Sequence, residues 1–165
     1  MTVPLAGLPP PPPELIFEGV VPSDALFFDT NCAIQPIVQR AQQRGRLALI
    51  SSIVYAELTT RRRESRHLEM LDTMLVEREL KVVPFDERSA RCFFELCRQL
   101  DFTVPPLLRS HENTRACRDR LRFDLAIFAA ALSHRAILVT NNTNDFQYFP
   151  FRQYWMTEEG LTAVL

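Results

Sequence analysis

The sequence predicts an α/β fold, a parallel sheet with helices on both faces. Four short, mostly apolar runs at 25–28, 47–50, 80–83 and 136–139 read as strands buried on both sides. Helical stretches separate them, and the connections are short, which suits parallel neighbours joined through helices. At 165 residues and 47% hydrophobic, the chain can bury one sizeable core.

Residues 1–24 hold seven of the 12 prolines, including the run Pro9 to Pro13, and are expected to be a polyproline-like or disordered tail. The domain proper is expected over 25–165. Its first strand, Ala25 to Phe28, stops at Asp29-Thr30-Asn31, three good helix-capping residues, before a helix from Ala33 to Arg44. Leu47 to Ile50 is a second strand, and Ser51 and Ser52 offer a cap for a helix from Ile53 to about Arg62. An amphipathic helix follows from about Arg66 to Glu79, with Leu68, Leu71 and Leu75 on one side. The strand Leu80 to Val83 ends at Pro84, and Asp86 caps a helix to about Leu100. After an irregular stretch from Asp101 to about Arg115, a very apolar helix covers Asp124 to Ser133, Ala136 to Val139 forms the fourth strand, and a last strand lies near Gln153 to Met156.

Composition removes several functions. Only four glycines are present, none paired in a phosphate-cradling loop, so P-loop and dinucleotide-binding readings fail. The cysteines, Cys32, Cys92, Cys97 and Cys117, form no CxxC pair and read as reduced thiols. No apolar run reaches the roughly 18 to 20 residues of a membrane span. The first 24 residues carry Glu14, Glu18 and Asp24 without Lys or Arg, unlike a secretory signal, and the expected compartment is the cytoplasm. Net charge is −1, yet seven arginines face two acids between Gln35 and Arg66, and five face two between Arg109 and Arg122. Such clusters suit a nucleic-acid backbone, with Arg61, Arg62, Arg118 and Arg122 the chosen contacts, or equally a solvated helix face.

In parallel sheets ligands bind at the carboxyl ends of the strands. Polar residues interrupt the apolar runs there: Asp29-Thr30-Asn31, Ser51-Ser52 and Thr140-Asn141-Asn142 should face one crevice. Asp29 follows two phenylalanines, where a carboxylate must cap a helix or meet a cation. Glu57 stands three and four residues after Val54 and Ile53, on the buried side of its helix and out of register for a capping box. Asp124 precedes Ile127, Phe128 and Ala131 on the most apolar helix, where a helix N-terminal acid is the competing explanation. Acids from three elements in one crevice repel one another, and such a set makes sense around Mg²⁺ or Mn²⁺. A bound ion of this kind activates water for phosphodiester hydrolysis.

The blocks Leu26 to Asn31 (LFFDTN), Ile50 to Leu58 (ISSIVYAEL), Phe123 to Ala131 (FDLAIFAAA) and Ile137 to Phe146 (ILVTNNTNDF) resemble, in order, the four signature blocks of PIN-domain proteins, and within them the VapC-like ribonuclease toxins of type II toxin–antitoxin modules. The resemblance implies a three-layer α/β/α sandwich with strand order 3-2-1-4-5, Mg²⁺-dependent RNA cleavage, a cognate antitoxin and a homodimer. Asp29, Glu57 and Asp124 match the first three acids. For the fourth position Asn142 aligns, and Asp145 is the nearest carboxylate in the same loop. Thr140 and Asn31 match site-orienting positions, and Ser52 is placed with them. The proline-rich tail and a longer, Arg-rich segment at 101–122 depart from the family pattern.

A haloacid-dehalogenase phosphatase needs a second Asp where this chain has Asn31, and a site lysine where the only lysine, Lys81, starts a strand. A non-catalytic binding module and an RNA-maturation nuclease outside any toxin module remain the alternatives.

Overall fold

The computed structural model describes residues 25–60, 65–99, 114–147, 149 and 151–165, except for the side chains of 65, 66, 98, 99, 114–120 and 153. The tail at 1–24, residues 101–113 of the Arg-rich segment, and Arg61 and Arg62 lie outside the described residues.

Five parallel strands make one sheet: β1 (Ala25–Phe28), β2 (Leu47–Ser51), β3 (Lys81–Val83), β4 (Ile137–Val139) and β5 (Trp155–Met156), in the order β3-β2-β1-β4-β5. β1 and β4 are buried at every residue, which requires cover on both faces and explains why neither alternates polar with apolar. The cover comes from helices of the crossovers: α1 (Thr30–Ala33), α2 (Ile37–Gln43), α3 (Ser52–Thr60), α4 (Ser65–Glu77), α5 (Glu87–Gln99) and α6 (Thr114–Ser133), followed by α7 (Thr143–Phe146) and α8 (Glu158–Val164). The core joins Phe27 and Phe28 of β1 to Ile50 of β2, Ile37 of α2, Leu96 of α5 and Phe128 of α6. Phe128, Phe146, Phe149 and Trp155 form an aromatic cluster, its closest ring centroids 4.9 Å apart between Phe146 and Phe149.

The predicted helix from Ala33 to Arg44 is two helices. Pro36, whose ring disfavours helical backbone at the residue before it, stands at the N-cap of α2, and Ile34 to Pro36 form the break. The predicted Asp124–Ser133 helix starts ten residues earlier, at Thr114, so Asp124 lies mid-helix and the N-terminal explanation for that acid is overturned. The short helices α7 and α8 were not predicted.

Topology fixes the site. β1 lies between β2 and β4, and the register pairs Phe28 with Val139. One step beyond, the Asp29 N–H donates to the Val139 carbonyl at 3.0 Å, which sets Asp29 beside Thr140.

Candidate active site

Asp29 is 3% exposed and both its oxygens are engaged. Oδ1 accepts from the Thr30 N–H at 2.7 Å, so the carboxylate does cap α1. Oδ2 accepts from the Thr140 hydroxyl at 2.7 Å and from Asn31 Nδ2 at 3.2 Å. The Thr140 oxygen in turn accepts from the Asn142 N–H at 3.0 Å, which leaves its single proton for Asp29. Of the two explanations for Asp29, a helix cap or a cation ligand, the geometry shows the cap, and it also ties the second oxygen to Thr140 and Asn31.

Glu57, half-buried on α3, accepts from the Thr30 hydroxyl. Asn142 Nδ2 donates to both Asp124 and Asp145, at 3.0 Å each. That arrangement turns the amide nitrogen of Asn142, rather than its carbonyl, toward the acids. Asp145 is 6% exposed on α7. Asp124 carries the electrostatic cost: its carboxyl is pushed up to about 8, first by burial, then by the charge of Asp29, the charge of Asp145 and a hydrogen bond with it, and the charge of Glu57. Phe128, one helical turn after Asp124, and Phe146, next to Asp145 in sequence, are fully buried and in ring contact with each other.

The structure therefore brings together Asp29, Glu57, Asp124 and Asp145 with Asn31, Thr140 and Asn142. Among the described residues, no three His, Cys, Asp or Glu side chains already surround one point as a metal's ligands would. The neutral donors Thr30, Thr140 and Asn142 occupy the carboxylate oxygens instead. The donor set still fits a hard divalent ion, because it is all oxygen and because burial, with the charges of Asp29, Asp145 and Glu57, keeps a proton on Asp124 that a cation would displace. Ser52 is not among these contacts: its oxygen accepts from the Phe85 N–H at 3.0 Å and ties the chain after β3 to α3. The cap of α3 is Ser51, whose oxygen accepts from the Val54 N–H at 3.1 Å. Arg122 is exposed on α6, and no side-chain placement is described for Arg118. Thr30, as the holder of Glu57, was missed in the sequence although it stands inside the Asp29-Thr30-Asn31 block.

An all-parallel α/β sheet whose carboxyl edge gathers four acids defines a protein built to manage concentrated negative charge in a crevice. The chain belongs to the PIN domain family, whose members are generally nucleases: residues 26–151 match the family. Among solved structures it is similar to a chain of VapBC2 from Rickettsia felis bound to a DNA fragment from the promoter (23% identity, 81% of this chain and 98% of that one, TM-score 0.55). It is also similar to a chain of DNA-bound VapBC from Salmonella typhimurium (23% identity, 81% and 98%, TM-score 0.56). A third likeness is to a toxin–antitoxin complex from Klebsiella pneumoniae (20% identity, 81% and 97%, TM-score 0.52). These likenesses are of fold. No curated protein matches the chain. Among the described residues no helix is long and apolar enough to cross a membrane.

Proposed function

We propose that this chain is a divalent-cation-dependent endoribonuclease acting in the cytoplasm, the toxin of a toxin–antitoxin pair. The observation that carries the reading is the gathering of Asp29, Glu57, Asp124 and Asp145 at the carboxyl edge of the sheet, linked through Thr30, Thr140 and Asn142, where burial and the neighbouring charges raise Asp124 to about 8. Such a cluster is costly without a cation and is poised to bind one. The family match and the likeness to chains of VapBC and toxin–antitoxin complexes support the choice of reaction and of an antitoxin partner.

Asp29, Glu57, Asp124 and Asp145 would hold Mg²⁺ or Mn²⁺. Bound there, the ion supplies a water of lowered pKa and a positive charge for the phosphate oxygens. The chain's own contribution is positional. Thr30, Asn31 and Thr140 fix Asp29 through three donors, so its oxygens need little reorganisation when charge arrives. Asn142 donates to both Asp124 and Asp145 and so holds the two carboxyl groups at one amide. The arginine segments flanking Glu57 and Asp124 in sequence are assigned to the RNA backbone, and a second copy of the chain to a homodimer.

RNA cleavage should require added Mg²⁺ or Mn²⁺ and collapse in Asp29→Asn, Glu57→Gln and Asp124→Asn, with each variant still folded by circular dichroism. Full cleavage in EDTA, or by all three variants, overturns the reading. RNA binding with no cleavage by the wild-type protein under any divalent ion would instead favour the non-catalytic alternative.

A further inference from the structure

Beyond the acids, one chain of hydrogen bonds leads from the site to the last helix. Asn31, which donates to Asp29 Oδ2 at 3.2 Å, accepts at its Oδ1 from the Asn141 N–H at 3.1 Å. The side chain of Asn141 makes a closed pair with Glu158 at the start of α8: its Oδ1 accepts from the Glu158 N–H at 3.1 Å, and its Nδ2 donates to Glu158 Oε2 at 3.2 Å. Two backbone N–H groups, which can only donate, fix both amides. Asn141 must turn Oδ1 to the Glu158 N–H, so its Nδ2 meets the carboxylate. Asn31 must turn Oδ1 to the Asn141 N–H, so its Nδ2 meets Asp29. The direction of the whole chain is thus set by main-chain atoms.

The anchorage at the far end is independent of Glu158. α8 is capped by the Thr157 oxygen, which accepts from the Gly160 N–H at 3.1 Å, and is seated by Leu161, 1% exposed. The Thr140 N–H also donates to the Met156 carbonyl at 2.9 Å, so the two segments run side by side before Asn141 and Glu158 meet.

We infer that Glu158 is a positioning residue of the site: through its pair with Asn141 it sets Asn31, and Asn31 sets the Oδ2 of Asp29. Its contribution is geometric, as an acceptor of the Asn141 amide, and not as a fifth negative charge for a cation. The inference rests on the cation-binding reading above, and the test separates the two.

Glu158→Gln keeps an acceptor for Asn141 Nδ2 and removes the charge, while Glu158→Ala removes both. Mn²⁺ binding by calorimetry should weaken about fivefold in Glu158→Ala, the scale of one net hydrogen bond, and stay near wild type in Glu158→Gln. With RNA, kcat should fall in Glu158→Ala with little change in KM and recover in Glu158→Gln, while the melting temperature of both stays close to wild type. Equal weakening in the two variants would make Glu158 a charge, and no change in either would make it a bystander. Both results overturn the inference. If the wild-type protein binds no Mn²⁺, the cation reading itself fails, and amide exchange at Asn141 still decides the positioning: faster exchange in Glu158→Ala than in Glu158→Gln supports it, and equal rates overturn it.

Discussion

Asp124 shows what burial among like charges does to one side chain. An unfolded aspartate releases its proton near 3.8, whereas this one holds it to about 8 in the folded protein. Between those values the native state binds more protons than the unfolded chain, so stability falls as pH rises across the interval. Without divalent ions, thermal denaturation should give a higher melting temperature at pH 6 than at pH 8.5, and Asp124→Asn should flatten that dependence. An equal slope in wild type and variant would remove the assignment to Asp124. A bound cation must displace the same proton, so Mn²⁺ affinity should climb with pH and level off above about 8. At the fourth position, Asn142 faces the acids with its nitrogen and Asp145 with a carboxylate. Calorimetry should therefore show a larger loss of metal affinity for Asp145→Asn than for Asn142→Ala. The reverse order would make Asn142 a ligand through its carbonyl after rearrangement. Asp29 and Glu57 were legible in the sequence because each breaks a local rule, a carboxylate after two phenylalanines and an acid on an apolar helix face. Asn141 and Glu158 break none, since a loop asparagine and an acid in a helix's first turn are ordinary, and only the fold shows that they meet.

Helices and strands differed in how openly they announced themselves. β1, β2 and β4 were readable because a strand buried on both faces is a solid apolar run. α6 was readable only in its second half, since residues 114–123 are crowded with arginine and offer little apolar periodicity, although the 20-residue helix runs through them. α7 and α8, of four and seven residues, are too short for a repeating pattern. The cap of α5 was readable from Asp86 alone. Its Oδ1 accepts from the Ser89 N–H at 2.9 Å and from the Ser89 hydroxyl at 3.1 Å. Burial pushes the Asp86 carboxyl up, but these two donors, with the nearby His134 and Arg88, hold it below its ordinary value. A carboxyl lowered in this way stabilises the fold above its unfolded pKa and loses that contribution as pH falls through the folded one. Asp86→Ala should cost about 1 kcal/mol in urea denaturation at neutral pH and less at pH 3. A cost unchanged at pH 3 would show that charge plays no part in the cap.

For the whole molecule, net charge is −1, so on the proposed reading attraction to RNA would come from where the arginines stand and not from their sum. Replacing Arg61 and Arg62, or Arg118 and Arg122, by Ala should weaken RNA binding for all sequences alike and reduce the salt slope by about 0.7 for each phosphate that is no longer neutralised. An unchanged slope together with failure of an antitoxin to inhibit would assign these residues to the protein partner. The sheet order raises a different matter, that of time. β1 finds its second neighbour only in β4, and the bond from Thr140 to Asp29 closes a loop of 111 residues. During synthesis Asp29 is made long before Thr140, Asn142 and Asp145, and until they emerge it has no partner strand on that side. On the proposed reading, a chain that stops short of β4 lacks the completed site however well its first half has collapsed. A fragment ending at residue 136 should bind no Mn²⁺ and cut no RNA, so on the proposed reading the site waits for β4 and the loop behind it, 111 residues after the first acid.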